Sequence, residues 1–441
     1  MLDTVLEKLG GLLPKNFLIA AFFPVLLFAG ANGVMLYLVR PNFRNWVVEY
    51  LDLNPVRQAY YAFPILIVIA AAAYVFSMLN LPLRRILEGV PPFVSLKQKS
   101  EFMQPLSRQQ RTKLDRLEKT LKDHKRKWWM MKRQEQGWYQ SLTDAYRKGI
   151  GQTARCSYTD ETEAARKLDS LMDRRAANDL IEVTEITESV SSLGQELAKC
   201  NLNARDVKDQ EDYNNKQSLD SAHTTMRELI NYAVNRVEDE YAEYYNHREY
   251  HYSRYRIAPT TMGNVAESVR GYALSRYGMN LDPLWIRVQT LVQQDKDFYA
   301  SLQDAKTQLD FLVSLCWLTI IFTAFWLVYL ISARQRLALF LLIGVLGPTL
   351  AFMWYAIAVQ NYLAFADVLR TALDLYRFKL LDVLHIARPR NSDEEREIWS
   401  QINHAIGFGE GTTIVYKTDE TIDSPKPATT ARPNVESSET K

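Results

Sequence analysis

The sequence predicts an all-α membrane protein with four transmembrane helices and a large cytosolic helical, coiled-coil domain inserted between the second and the third. Two observations lead to this fold class. Apolar residues are concentrated in four runs, each long enough to cross a bilayer core of ~30 Å at ~1.5 Å per residue. Charged residues fill the segments between the runs, where apolar side chains recur at helical spacing.

The apolar runs cover residues 17–38, 59–81, 311–333 and 337–366. Asp, Glu, Lys, Arg and His are absent from all four runs. An ion-coupled transporter or a voltage sensor is expected to hold at least one ionisable side chain in its spans. The sequence therefore argues against active transport.

Small and neutral polar residues within the runs permit two interpretations. They allow helices to pack closely and to hydrogen-bond across their interface, or they line a neutral, wettable pore built from several copies. Glycine and proline in the fourth run indicate either a kink or a gating hinge. The residues concerned are Asn32, Asn80, Thr319, Thr323, Gly344, Gly347 and Pro348.

Basic residues in the flanks of the runs predict the orientation of the chain. Lys and Arg are enriched on the cytoplasmic side of membrane spans, and the segments after the second and fourth runs are rich in both. The N-terminus, the middle region and the C-terminus are therefore expected in the cytoplasm. The predicted segments are an N-terminal amphipathic segment (1–16), a first transmembrane pair (17–82), the cytosolic helical domain (83–256), a coupling segment of capped helices (257–308), a second transmembrane hairpin (309–366), C-terminal cytosolic helices (367–408) and a disordered tail (409–441).

Two long helices are expected to organise the cytosolic domain. Residues 107–148 place Leu114, Leu121, Trp128 and Met131 in one heptad frame, which is typical of a coiled coil or an antiparallel bundle. Residues 219–252 carry an apolar stripe of their own. The two helices are expected to pair antiparallel.

The basic face of the first long helix permits three interpretations. It is a solvated surface, it contacts anionic lipid headgroups, or it binds nucleic acid, since bases interleaved with aromatic residues also suit a phosphate backbone. The residues of this face are Lys125, Arg126, Lys127, Lys132 and Arg133.

Catalytic motifs are absent from the sequence. It contains no phosphate-binding loop, no Rossmann glycine pattern and no nucleophile elbow. His247 and His251 have a metal-binding spacing, but Arg248 stands where the zinc-protease motif requires glutamate. Cys156, Cys200 and Cys316 lack the spacing of a disulfide framework or a zinc site. We therefore expect neither an enzyme nor a bound metal or cofactor.

The coupling segment is rich in helix start and stop signals. Pro259 and Thr260 suit a turn before a helix that ends at Gly278, a natural C-cap. Asp282 and Pro283 then suit the N-cap and first position of a second helix, in which Trp285, Val288 and Leu291 face one side. A further helix near residues 297–309 is expected to lead into the third run. These signals predict a packed junction rather than a flexible linker.

Part of the chain resembles a family of uncharacterised multi-span membrane proteins of bacteria, abundant in actinobacteria. The residues that carry the resemblance are Leu87, Glu88, Gly89, Pro259, Thr260, Gly263, Asn264, Arg276, Tyr277, Gly278, Leu284, Trp285 and Arg287. Ile286 and Val90 depart from the family pattern, which has proline and an aromatic residue there. The resemblance implies a multi-span topology and a bacterial inner membrane, and it implies no activity.

Two functional hypotheses follow from these features. The first is a homo-oligomeric channel or membrane-perturbing effector, controlled by a cytosolic domain that senses a soluble protein or a nucleotide ligand. Bacterial anti-phage systems use such effectors, which is an analogy. The second is a membrane-anchored scaffold that recruits a soluble partner or nucleic acid through the basic helix. An enzyme acting on lipid or phosphate ranks last, because no candidate residues support it.

Overall fold

The computed structural model describes residues 14–90, 96–150, 163–177, 181–199, 210–332, 337–409, 414 and 416. Nearly all of the predicted amphipathic segment at 1–16 and disordered tail at 409–441 lies outside the described residues, as do Cys156 and Cys200. The described residues form helices and no strand, and Ile386 and Tyr416 make an isolated antiparallel bridge. The predicted all-α class is confirmed for this part of the chain.

The helices of the described part are named α1 to α12 in chain order. Their bounds are α1 (Lys15–Val39), α2 (Pro41–Leu51), α3 (Pro55–Leu87), α4 (Leu96–Ile150), α5 (Glu163–Ala176), α6 (Val183–Lys199), α7 (Gln210–His251), α8 (Thr261–Tyr277), α9 (Leu281–Val292), α10 (Lys296–Ser332), α11 (Leu337–Val383) and α12 (Ser392–Phe408).

Four of these helices, α1, α3, α10 and α11, are long and apolar enough to cross a membrane. They contain the four predicted runs, except for residue 333, which lies outside the described residues. The helix predicted near residues 297–309 is confirmed, and it forms the first part of α10, which continues without interruption from Lys296 into the third run. The physical reason is that no glycine or proline lies between Lys296 and Ser332 to end the helix.

The chain divides into two compact units, which we describe separately. The membrane unit comprises Met1–Arg84 and Val269–Lys441, and the bundle unit comprises Arg85–Ser268. Both divisions fall inside helices, the first within α3 and the second within α8. The predicted coupling segment at 257–308 is therefore shared between the units.

Helix α10 lies at the centre of the membrane unit. It packs along α11 and also against α1. Within its most apolar stretch, 44% of residues are buried inside the chain, against 6% for α3. Most of the surface of α3 therefore has no partner in the described part of its own chain.

A proline in α1 creates a specific contact with α10. Pro24 has no N–H and cannot donate to the carbonyl of Ala20, one turn earlier. The helix forms a π-helical turn over Leu18–Phe22, a common response to a disturbed ladder. The Ser314 hydroxyl of α10 lies 2.9 Å from the Ala20 carbonyl oxygen and can donate to it.

The bundle unit is organised around α4 and α7, which run antiparallel as predicted. Tyr139 of α4 donates to Asn231 of α7 at 2.6 Å, and Glu118, nearer the start of α4, pairs with Arg248 near the end of α7 at 3.6 Å. Helices α5 and α6 pack on this pair. The shared core of the four helices includes Met131, Trp138, Leu142, Leu168, Ile186, Met226, Ile230 and Val237.

Candidate functional site

The predicted coupling residues gather at the two ends of α8. The first half of this helix belongs to the bundle unit and the second half, from Val269, to the membrane unit. Each end makes its own cluster of contacts, within its own unit.

The first turn of α8 packs against Glu88 and Gly89, which follow α3. A Cβ atom added to Gly263 would lie 2.1 Å from the Glu88 carbonyl oxygen and 2.8 Å from the Cβ of Ala258, so only glycine allows this approach. Thr260 precedes the helix, and its hydroxyl accepts a hydrogen bond from the Gly263 N–H at 3.0 Å. The predicted turn at this helix start is confirmed.

Two further residues complete this contact. Gly89 has a φ of +79°, and a Cβ atom there would lie 3.0 Å from the Pro259 ring. Asn264 is fully buried. It accepts from the Ala258 N–H at 2.7 Å and donates to Gln110 at 3.2 Å. We call Glu88, Gly89, Pro259, Gly263 and Asn264 the Gly263 junction.

The second half of α8 is held to α11 by one carboxylate. Asp374 of α11 accepts hydrogen bonds from the Tyr272 hydroxyl, at 2.9 and 3.0 Å, and from the Tyr277 hydroxyl at 2.6 Å. Arg377 lies 4.4 Å from the centre of the Tyr277 ring and pairs with Glu395 of α12 at 2.9 Å. These five residues, which we call the Asp374 clamp, join three helices.

Burial sets the protonation of the two tyrosines in the clamp. It raises the pKa of both hydroxyls, and for Tyr277 the hydrogen bond to Asp374 raises the pKa further. Both hydroxyls therefore remain protonated donors at neutral pH. Hydrogen bonds to an ionised acceptor are stronger than those between neutral groups, so the clamp is a specific and strong contact between α8 and α11.

The turn after α8 is fixed by α12. Gly278 has a φ of +75°, and its N–H donates to the Leu274 carbonyl at 3.0 Å, which confirms the predicted C-cap. A Cβ atom on Gly278 would lie 3.1 Å from the carbonyl oxygen of Arg396 in α12. Asn403 of α12 donates to the Gly278 carbonyl at 2.8 Å and accepts from the Asn280 N–H at 3.1 Å.

The predicted N-cap of α9 is wrong. The helix begins at Leu281, and the Asn280 side chain caps it by accepting from the Asp282 N–H at 3.4 Å. Asp282 pairs instead with Arg270 at 2.9 Å. Asn280 and Asp282 are both suited to be an N-cap, but Arg270 engages the Asp282 carboxylate, so Asn280 forms the cap.

The remaining coupling residues lie nearer the surface. Arg276 is exposed and lies 5.4 Å from the centre of the Tyr272 ring. Arg287 is exposed and donates to the Pro283 carbonyl at 2.8 Å. Trp285 is only half-buried. The buried face of α9 consists of Leu281, Leu284, Val288, Leu291 and Val292.

Two of the candidate pore residues form hydrogen bonds between helices of the same chain. Asn32 of α1 accepts from the Trp326 indole N–H of α10 at 2.9 Å. Asn80 of α3 lies 3.0 Å from the Ser314 hydroxyl of α10. Both contacts support the packing interpretation for the single chain, and pore lining by several copies stays a prediction.

Of the other candidate pore residues, Thr323 and Gly347 meet where α10 packs on α11, whereas Pro348 is exposed. The hydroxyls of Thr319 and Thr323 donate to main-chain carbonyls one turn earlier, each at 2.7 Å. A Cβ atom on Gly347 would lie 2.2 Å from the Thr323 hydroxyl oxygen, whereas one on Gly344 would meet nothing closer than 3.8 Å. Helix α11 remains one helix through Pro348.

The predicted basic surface of α4 is mostly unpaired. Four of its five residues are exposed and have no ion pair among the described residues, namely Lys125, Arg126, Lys127 and Arg133. Lys132 differs, because it pairs with Glu238 at 3.2 Å and Glu135 at 3.5 Å. The hydrogen bond to Glu238 raises the pKa of Lys132.

A polar cleft of about 440 Å³ lies between α5 and α7. Its walls are Arg175, Glu228, Asn231, Tyr232, Asn235, Arg236 and Asp239. Arg175 pairs with Glu228 at 3.3 Å and lies 5.7 Å from the centre of the Tyr232 ring. Two arginines face two acids, so the walls carry no net charge that would favour the predicted nucleotide ligand.

Several residues of these clusters were not predicted from the sequence. Asp374 and Arg377 lie three positions apart on one helix, beside the apolar residues Leu373 and Tyr376. An acidic residue beside a stripe of apolar residues on one helix face is the pattern that could have indicated Asp374. Nothing local connects Asp374 or Arg377 with Tyr277.

No family profile, curated protein or solved structure matches this chain. The family resemblance therefore stays a prediction.

Proposed function

We propose that the protein is a membrane effector, a channel or membrane-perturbing assembly of several copies, controlled by its helical domain on the cytoplasmic side. The Asp374 clamp carries this proposal. Helix α11 runs unbroken from the fourth candidate span to Val383, and Tyr272 and Tyr277 of α8 hold its extension. Helix α8 begins in the bundle unit, so a change there reaches the fourth span through a single helix.

The exposed surface of α3 supports an assembly of several copies. Its apolar stretch is 6% buried inside the chain, so lipid or another copy must cover the rest. Asn32 and Asn80 are already used inside the chain. In this proposal, the lining of a conducting path is therefore built from surfaces of several copies. Bacterial anti-phage defence at the inner membrane is the setting we propose for such an effector.

Flux through liposomes tests the proposal. Purified protein is reconstituted with a trapped ion-sensitive dye, with and without cell extract. Asp374→Asn weakens both tyrosine hydrogen bonds, and we expect it to leak without extract while the wild type requires extract. Tyr255→Phe is the control, since Tyr255 is 60% exposed and lies outside the clamp. Absence of flux from every variant under every condition would contradict the proposal.

The exposed bases of α4 favour a second candidate function, a membrane-anchored scaffold. A soluble partner or nucleic acid would bind through Lys125, Arg126 and Lys127, which are exposed and unpaired among the described residues. Charge reversal of these three residues would then abolish recruitment, while unrelated spans could replace the native ones. Loss of recruitment on exchanging the spans would contradict the scaffold.

A further inference from the structure

One face of α4 carries a continuous ridge of positive charge. At ~100° per residue, six bases fall within a sector of ~80° that lies opposite the core residues Met131 and Leu142. These bases are Arg108, Arg111, Lys119, Lys122, Arg126 and Arg133, and all six are exposed. From residue 108 to residue 133 the ridge is ~37 Å long at ~1.5 Å per residue. Asp115 is the acid that shares this sector.

Acidic residues of α7 contact other sides of α4, and none of them pairs with this α4 ridge. Lys132 pairs with Glu238 of α7 at 3.2 Å, and His124 contacts Glu240 of α7 at 3.4 Å. Across the described residues, no ion pair involves a ridge base. The charge of the ridge is therefore available to an external partner.

An exposed aromatic residue lies within the same sector. Trp129 is 59% exposed and Met130, beside it, is 51% exposed. Trp129 packs edge-to-face on Trp128, with ring centres 5.7 Å apart, and Trp128 stacks on Tyr241 of α7. The Trp129 ring is therefore held in place by Trp128, which itself packs on α7. Tryptophan with neighbouring bases is typical of side chains that enter the headgroup layer of a membrane.

We propose that the α4 ridge docks on the anionic surface of the membrane leaflet that anchors the chain. Uncompensated Lys and Arg side chains are attracted to anionic lipids. A straight ridge of ~37 Å suits a flat surface, whereas the phosphates of a nucleic acid duplex wind away from a straight line. Arg108 follows Leu87, the last residue of α3, by 21 residues. Because the ridge is tethered to a candidate span by this short connection, the effective concentration of the lipid surface around the ridge is high.

The test uses the full-length chain in lipid nanodiscs, either zwitterionic or containing phosphatidylglycerol. An environment-sensitive dye is attached at Gln136→Cys, an exposed position beside the ridge, with Cys156 and Cys200 replaced by serine. Lipids with a quencher at the headgroup report docking. Docking requires membrane attachment and not conductance, so its outcome is independent of the flux experiment.

Two variants of equal charge isolate the ridge. The ridge triple is Lys122→Gln, Arg126→Gln and Arg133→Gln, and the control triple is Lys113→Gln, Arg116→Gln and Lys127→Gln, three exposed bases on another side of α4. Each ridge base is expected to contribute about fivefold to docking. The ridge triple should therefore lower the docking constant about 100-fold, and the control triple should lower it much less. Circular dichroism checks that both variants fold.

Quenching that depends on phosphatidylglycerol, falls with salt and is lost in the ridge triple supports the proposal. Equal quenching in zwitterionic nanodiscs overturns it, as does an equal loss in the two triples. A labelled oligonucleotide is added to zwitterionic nanodiscs in parallel. Tight oligonucleotide binding without lipid-dependent quenching would assign the ridge to nucleic acid instead.

Discussion

The contact between Gly347 and Thr323 allows a direct test of how the third and fourth candidate spans pack. We expect Gly347→Ala to destabilise the membrane unit strongly. The added Cβ would lie 2.2 Å from the Thr323 hydroxyl oxygen and 2.6 Å from its methyl carbon. It would also lie 2.9 Å from the Thr323 Cβ, which side-chain rotation does not move. The helices must therefore separate.

The magnitude follows from the number of atoms involved. Forcing one extra carbon into a packed interface costs about 1–3 kcal/mol. Three atoms of one stiff, β-branched side chain block this position, so we place Gly347→Ala near the top of that range, at about 3 kcal/mol. Gly344→Ala is the matched control on the same helix, because its nearest neighbour lies at 3.8 Å. Replacing glycine by alanine in an open helical position stabilises by about 0.5–1 kcal/mol.

Thermal unfolding in detergent, followed by tryptophan fluorescence, measures both variants. Trp326 lies in α10, less than one turn beyond Thr323, and it is 1% exposed, so it contributes a signal from this region to the emission of the nine tryptophans. The double variant Gly347→Ala with Thr323→Ala should recover part of the loss, since two of the three clashing atoms are removed. Equal stability of Gly347→Ala and Gly344→Ala would refute the reasoning.

Three further predictions concern the other clusters. Gly263→Ala should destabilise the bundle unit by about 3 kcal/mol in chemical denaturation, because its Cβ would meet the Glu88 carbonyl. Gly137→Ala is the control, and it should be neutral or stabilising because nothing lies within 4 Å of the added Cβ. Burial and the hydrogen bond to Asp374 raise the pKa of Tyr277. The stabilisation by its hydroxyl is therefore complete below about pH 10 and is lost as the pH rises through the folded-state pKa. Between about pH 10 and about pH 12, Tyr277→Phe should thus lose less stability than the wild type. Asn80→Ala should cost about 0.6–1.7 kcal/mol by removing the interhelical contact with Ser314, and Ser77→Ala, whose hydroxyl donates within its own helix, should cost less in the same unfolding assay.

The sequence predicted the elements well because each carries its own periodic signal. Four uncharged runs predicted the four apolar helices, and the heptad frame of α4 placed Met131 on the buried face. The C-cap of α8 was predicted from a single residue, Gly278, which has a positive φ. Helix α10 continues from Lys296 into the third run without a break, since a change from polar to apolar residues ends no helix by itself. Only a glycine, a proline or a competing cap does so.

The clusters themselves were less predictable, because they depend on residues far apart in the chain. The Gly263 junction joins residues after α3 to residues before α8, and no local pattern indicates that Glu88 touches Gly263. The Asp374 clamp likewise depends on a contact between α11 and α8, which no local pattern indicates. Sequence reasoning marked Tyr277 and Gly278 as unusual, and their partners Asp374 and Arg396 became visible only through tertiary packing.

The unequal packing of the candidate spans indicates which helix is easiest to displace. Helix α10 is joined to α11 at Gly347 and to α1 through the Asn32–Trp326 hydrogen bond. Helix α3 contacts α10 through Asn80 and Ser314, through the Trp317 indole that donates to the Leu83 carbonyl, and through Arg84, which lies 4.0 Å from Asp310. In the proposed effector, motion of α11 through the Asp374 clamp would also move α10, because the contact at Gly347 has no room for one more carbon. The apolar stretch of α3 is 6% buried inside the chain, against 44% for that of α10, so the proposal expects α3 to be displaced more easily than α10.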